Sequence, residues 1–137
     1  MNKQIIYWNK KYYEDLGEKD DEGFYDYVYR YFDFWFNLPE KQAIRARIYT
    51  DETSKCNLHG IYIQQNSYGI GKEWDIIKKL DEDFVSSNIY FISILNFLRE
   101  SEKVKNFFYI DKKYKKINYR KIDTSSVKFV KTKGLVI

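Results

Sequence analysis

The chain has 137 residues, of which 44% are hydrophobic and 32% charged, and it contains one cysteine, one histidine and one proline. This length and composition are typical of one globular domain with its own core, and they argue against a disordered chain, a disulfide scaffold and a membrane-spanning protein. We expect a single domain over residues 1–137, located in the cytoplasm, because the N-terminus lacks a secretory signal and a lone thiol suits a reducing compartment.

The N-terminal third is predicted to form a strand, a loop and a helix. Residues 3–13 form the strand, and an acidic loop marked by glycines follows over residues 14–23. In residues 24–38 the polar side chains are spaced four, three and four apart, which gives one narrow stripe on a helix. The stripe consists of Asp26, Arg30, Asp33 and Asn37. Pro39 marks the end of this mostly buried helix, although its many aromatic residues favour a strand.

The middle of the chain predicts an antiparallel hairpin. Residues 43–50 alternate between an apolar face, formed by Ile44, Ala46 and Ile48, and a polar face that carries Arg45, Arg47 and Tyr49. This alternation is typical of a half-buried strand. Residues 58–64 form a second strand, joined to the first by a short polar loop.

The second half mixes helices and strands. A short helix is predicted around Trp74, Ile77 and Leu80, and a longer one over residues 88–101. Strands are predicted over residues 107–110, 114–122 and 127–130. Because no regular βαβ alternation is present, we expect an α+β fold with an antiparallel sheet of about four to six strands and two to three helices.

Metal and cofactor chemistry find little support in the residue types. A structural zinc site needs about four Cys or His ligands, whereas this chain has only Cys56 and His59. The same two residues make a poor nucleophile and base pair, because such pairs usually come from separate elements. A glycine-containing turn at residues 67–72 lacks the first glycine and the hydroxyl residue of a phosphate loop. We therefore expect no metal and no cofactor.

Paired carboxylates are the remaining route to catalysis. Asp26 with Asp33, or Asp81 with Asp83, are the candidate acid and base pairs. Acidic residues on helix faces are usually solvated, and Asp33 has Arg30 one helical turn away as an ion-pair partner. We expect no catalytic residues and no enzyme activity.

The charge is distributed unevenly along the chain. Residues 1–102 hold 13 basic and 18 acidic side chains, a net charge of −5, while residues 103–137 hold 11 and 2, a net charge of +9. A C-terminal hairpin would gather the basic residues into a patch beside Tyr114 and Tyr119. The patch consists of Lys112, Lys113, Lys115, Lys116, Arg120 and Lys121. It would attract phosphates or an acidic protein, or it would only keep a strand edge soluble.

These features favour a small binding protein. The abundance of lysine, isoleucine, asparagine and tyrosine indicates a low-GC genome of a bacterium or phage. In such genomes, small proteins of this kind are often inhibitors that neutralise a toxin or block a defence system. The candidate contacts with that partner protein are Asp26, Arg30, Asp33, Arg45 and Arg47. The alternative is a nucleic-acid-binding module that uses the basic patch, with tyrosines stacking on bases.

Overall fold

The computed structural model describes residues 4–39, 42–64, 74–78, 80, 82–110, 115–120 and 122–133. These residues form seven β-strands and two α-helices in one small α+β fold, which confirms the predicted class. The elements are β1 (Gln4–Leu16), β2 (Val28–Leu38), β3 (Gln42–Tyr49), β4 (Lys55–Gln64), β5 (Trp74–Lys78), α1 (Glu82–Ser87), α2 (Ile89–Ser101), β6 (Asn106–Tyr109) and β7 (Val127–Lys131).

The sheet is mixed. Six strands lie side by side in the order β5-β4-β3-β2-β1-β7, and β6 pairs with residues 55–58 at the start of β4. The pairs from β5 to β1 are antiparallel, but β7 runs parallel to β1 and β6 runs parallel to β4. The prediction of an antiparallel sheet is therefore wrong in this respect. Parallel pairing needs a long crossover, and the segment containing α1 and α2 supplies one before β6.

The predicted hairpin of β3 and β4 is confirmed. Ile44 pairs with Ile61, whereas Ala46 pairs with Leu58, so β4 holds one more residue than β3 across this interval. This extra residue forms a β-bulge, which bends the strand and changes the direction of nearby side chains. His59 lies within the bulge, and it is buried at 5% exposure.

One face of the sheet packs against α2. Phe34, Phe36 and Ile44 are almost fully buried, and the ring of Phe36 meets that of Phe97 on α2 at 5.9 Å. The side chain of Asn88 caps this helix by accepting a hydrogen bond from the backbone N–H of Phe91 (3.0 Å). The helix predicted over residues 88–101 is therefore confirmed, and its apolar side closes the core.

The helix predicted over residues 24–38 is wrong, because this segment contains β2. Phe34, Phe36 and Leu38 point into the core, while Asp33 and Trp35 point to the opposite face of the sheet. Both faces of β2 therefore carry aromatic side chains, which hides the alternation by which a strand is usually recognised. The β-propensity of these aromatic residues prevails over the helical spacing of the polar ones.

Two other predicted elements differ from the structure. The short helix predicted around Trp74 is instead the edge strand β5. The strand predicted over residues 114–122 is reduced, within the described residues, to one bridge between Lys116 and Phe108. The strands predicted at 107–110 and 127–130 are confirmed as β6 and β7.

Candidate functional site

The hairpin of β1 and β2 extends beyond the rest of the sheet. β3 accompanies β2 only as far as Thr50, whose backbone N–H donates to the carbonyl oxygen of Arg30 (2.9 Å). Beyond this point the strand pairs that the structure describes are all within the hairpin, and we call residues 14–29 the arm. The arm is thus a two-stranded ribbon that projects from the sheet.

The tip of the arm has a defined turn. The carboxylate of Asp20 accepts hydrogen bonds from the backbone N–H groups of Glu22 (2.9 Å) and Phe24 (2.8 Å). Gly23 has a φ of +91°, a conformation that favours glycine. Gly17 is also constrained, because a Cβ atom there would lie 2.8 Å from the ring of Tyr27. These contacts give the arm a specific shape although only two strands form it.

The arm exposes an unusual amount of apolar surface. It carries six of the twelve large hydrophobic side chains that are exposed in the described residues. They are Leu16, Phe24, Tyr25, Tyr27, Val28 and Tyr29. Phe24 is 67% exposed and Tyr29 is 50% exposed, so these rings contribute little to the core. Such a concentration of exposed apolar side chains in one segment is typical of interaction sites, and it makes the arm the candidate site.

A row of tyrosines continues from the arm onto the sheet, on the face that points away from α2. We call it the tyrosine stripe; it consists of Tyr13, Tyr27, Tyr29, Tyr31 and Tyr49. Neighbouring rings are in contact, with centroid distances of 5.1 Å between Tyr27 and Tyr29 and 6.0 Å between Tyr29 and Tyr49. Tyr31 contacts both Tyr13 and Tyr49 at 5.6 Å. The stripe is therefore a continuous, ordered aromatic surface.

An ion pair lies at the inner end of the stripe. The guanidinium of Arg47 donates two hydrogen bonds to the carboxylate of Asp33, at 2.9 and 3.1 Å, and it also lies 4.0 Å from the ring centroid of Tyr31. Burial alone would lower the pKa of Arg47, but its hydrogen bonds with Asp33 and the charge of Asp33 raise it overall. Arg47 is therefore charged, and its contacts with Asp33 and Tyr31 hold the Tyr31 ring at the base of the stripe.

A second arginine is held between two aromatic rings on the same face. The Arg45 guanidinium lies 5.4 Å from the Trp35 ring and 5.1 Å from that of Tyr62, and it donates a hydrogen bond to the Tyr62 hydroxyl (2.8 Å). Burial, together with the cations of Arg45 and Arg47, lowers the pKa of His59 to about 3. His59 is therefore neutral at physiological pH, and its Nδ1 lies 3.3 Å from the carbonyl oxygen of Arg45.

The predicted partner-binding residues separate by burial into an exposed group and a group that is buried or partly buried. Asp33 is 3% exposed and pairs with Arg47, so the expected Asp33–Arg30 pair is wrong. Arg30 instead bonds to Glu14 at 3.3 Å, and both side chains are about half exposed. Asp26 is exposed on the arm, while Arg45 and Arg47 are partly buried. The predicted helical stripe does not exist, because its members lie on both faces of the hairpin.

Sequence reasoning missed the arm and the tyrosine stripe. The available signal was the recurrence of tyrosine at positions 25, 27, 29 and 31, since a period of two is typical of a strand. Interpreting residues 24–38 as a helix instead placed these rings around a helix and assigned them to the core.

The predicted basic patch lies only partly in the described residues. Lys112, Lys113 and Lys121 fall outside them. Lys115, Lys116 and Arg120 are exposed, and the ammonium of Lys115 lies 5.8 Å from the ring centroid of Tyr109. The backbone of this segment is fixed to β6, since the N–H of Ile117 donates to the carbonyl oxygen of Phe107 (2.7 Å). The structure thus describes three of the six patch residues, and all three are exposed.

The described residues contain one buried cysteine and no cluster of potential metal ligands. Cys56 is fully buried, and this burial raises the pKa of its thiol, which disfavours the nucleophilic thiolate. No group of three or more His, Cys, Asp or Glu side chains is placed to hold a metal ion in the described part of the chain. Neither of the two described helices is long and apolar enough to cross a membrane.

Comparison of the chain with protein-family models, with curated proteins and with solved structures finds no match.

Proposed function

We propose that the chain is a non-enzymatic protein that binds one partner protein stoichiometrically and inhibits it, in conflict between bacteria and their phages or competitors. The partner is a toxin or a component of a defence system. The observation that carries the binding role is the arm with its exposed rings, which continues into the tyrosine stripe. The inhibitory role rests on the small size of the chain and on the low-GC composition of its sequence.

The chemistry of this surface matches that of protein interfaces. Tyrosine and arginine are enriched among the residues that contribute most to binding, because they combine a large apolar surface with a polar group. In the stripe, each ring is already held by its neighbours, so little side-chain freedom is lost when a partner covers it. Tyr29, at 50% exposure between two other rings, is the best anchor candidate.

Nucleic-acid binding is the second candidate function. It is supported by the exposed side chains of Lys115, Lys116 and Arg120. Tyrosine rings stack on bases in many single-strand-binding proteins, but those rings usually lie in a positively charged groove. Here Tyr27 and Tyr29 lie on an arm with seven acidic residues and one basic residue. The negative charge of the arm disfavours phosphate binding at these two rings.

The experiment compares two tyrosine variants. The partner is isolated with the full-length chain as bait, and the stoichiometry of the complex is measured by native mass spectrometry. Tyr29→Ala should weaken binding about tenfold or more, as expected for a central aromatic anchor. Tyr7→Ala is the matched control, because Tyr7 is similarly exposed, at 40%, but lies outside the arm and the stripe.

Two results would count against the proposal. One is an equal effect of the two tyrosine substitutions on binding. The other is a sub-micromolar, salt-sensitive affinity for RNA or DNA that is lost when Lys115 and Lys116 are reversed to Glu, since counterion release makes phosphate contacts depend strongly on salt. The second result would favour the nucleic-acid candidate.

A further inference from the structure

The arm differs in charge from the rest of the chain. Residues 14–29 contain seven acidic side chains and one basic side chain, a net charge of −6. The other 121 residues contain 13 acidic and 23 basic side chains, a net charge of +10. The contrast between the arm and the rest of the chain is hidden when residues 1–102 are counted together, because the basic residues that flank the arm offset its charge. An acidic arm therefore projects from a basic body.

Most of the carboxylates on the arm have no role in shaping it. Glu14 pairs with Arg30, and Asp20 accepts the two hydrogen bonds of the turn. The other five are exposed, and no hydrogen bond or ion pair engages their side chains within the part of the chain that the structure describes. They are Asp15, Glu18, Asp21, Glu22 and Asp26. Their charges are free to act on a second molecule.

Several of these carboxylates lie near the exposed rings in the sequence of the arm. Glu22 precedes Phe24 by two residues at the tip, and Asp26 lies between Tyr25 and Tyr27 in the sequence. A central apolar anchor within a polar rim is the usual arrangement of a protein interface, and here the polar residues beside the rings are carboxylates. Rim charges of one sign accelerate association with a surface of the opposite sign and disfavour a surface of the same sign.

We propose that the arm docks on a basic, lysine- and arginine-rich surface of the partner protein, with the exposed rings as anchors and the free carboxylates as the complementary charges. This inference rests on the proposed function and specifies the chemistry of the partner. A surface of that kind is one that proteins use to hold nucleic-acid phosphates. Occupation by the arm would therefore block that use.

The contribution of the free carboxylates to docking is measured with two matched variants of the full chain. The arm variant carries Asp15→Asn, Asp21→Asn and Glu22→Gln. The control variant carries Asp51→Asn, Asp83→Asn and Glu100→Gln, which removes the same charges at exposed positions outside the arm. Neither variant changes Glu14 or Asp20, so the ion pair and the turn remain intact.

The contact surface is identified by photocrosslinking. p-Benzoylphenylalanine replaces Phe24, which is 67% exposed at the tip, and crosslinking is carried out in extract of cells that carry the gene. The crosslinked peptide is sequenced by mass spectrometry. We expect it to come from a different protein and to lie in a surface with a clear excess of lysine and arginine.

The salt dependence completes the test. At an ionic strength of about 0.01 M, where the Debye length is about 30 Å, the arm variant should crosslink roughly tenfold less than the control variant. At about 1 M the Debye length is about 3 Å, and the two yields should become similar. The anchoring rings should still give a measurable yield there, because their burial does not depend on charge.

Three results would overturn the inference. The first is a crosslinked surface with no excess of basic residues, the second is an equal yield from the two variants at low salt, and the third is a crosslink between two copies of this chain. If the Tyr29-dependent complex still forms in these cases, the proposed function stands and only the basic surface is refuted. If neither the photocrosslink nor the bait captures a protein, the proposed function fails as well.

Discussion

Replacing Asp33 by alanine tests whether the Asp33–Arg47 pair stabilises the fold. The Asp33 side chain is 4% exposed and that of Arg47 is 18% exposed, so the substitution leaves a largely buried guanidinium without its two hydrogen bonds. Removal of one partner from a buried ion pair costs about 3–5 kcal/mol. Because solvent still reaches part of Arg47, we expect a loss of about 2–4 kcal/mol in the free energy of unfolding.

A double-mutant cycle in urea separates this pair from general effects of substitution. Asp33→Ala, Arg47→Met and the double variant are compared at constant m-value. The double variant should be more stable than the sum of the single losses predicts, by at least about 1 kcal/mol, because it leaves no unpaired charge. Arg30→Ala is the control, and its exposed pair with Glu14 should be worth only about 0–1 kcal/mol.

A small effect would refute this reasoning. If Asp33→Ala costs no more than Arg30→Ala, the carboxylate is not needed for the fold. Its sequence-based assignment as a contact with a partner would then regain support.

Three further predictions concern other buried groups. Lowering the pH from about 7 to about 5 should destabilise the wild type by about 2 kcal/mol more than it destabilises the His59→Gln variant, as measured by urea titrations. The reason is that His59 of the unfolded chain takes up a proton in this range, whereas native His59, with a pKa of about 3, does not. Phe36→Ala should lower the free energy of unfolding by about 3–5 kcal/mol, because Phe36 is buried, whereas Phe24→Ala should lower it by less than about 0.5 kcal/mol, because Phe24 is exposed. Thermal or urea unfolding measures both losses, and similar values would contradict this difference in burial. Cys56 should react with a thiol reagent only as fast as the protein unfolds, and rapid reaction without denaturant would contradict its full burial.

The sequence predicts elements well where only one face is apolar. In β3, the apolar side chains of Ile44, Ala46 and Ile48 alternate with polar ones, and the structure buries the former against the core. In α2, Asn88 caps a helix whose apolar residues cover one wide side. In both elements local pattern and tertiary burial agree, so a single sequence is sufficient.

The sequence fails where both faces of an element carry similar side chains. β2 presents Phe34 and Phe36 to the core and Tyr31 and Trp35 to the opposite face, so its apolar pattern has no clear period. Strand partners are also hidden, because the parallel pairing of β7 with β1 joins segments more than a hundred residues apart. Among the candidate contacts, Asp33 was expected to pair with Arg30, and only the register that places it opposite Arg47 corrects this.

Packing of the core does not explain why positions 27 and 29 carry tyrosine, and this is the main reason to assign Tyr27 and Tyr29 to binding. The rings of Tyr27 and Tyr29 lie beyond the end of β3, where they contact other rings of the stripe and are not part of the core cluster. An isolated ribbon with exposed rings and open edges is marginally stable and prone to pair with other strands. The free carboxylates counter that tendency between copies of the chain, since two arms of charge −6 repel each other. The same charges attract a basic surface, so one feature both keeps the arm free and selects what it contacts.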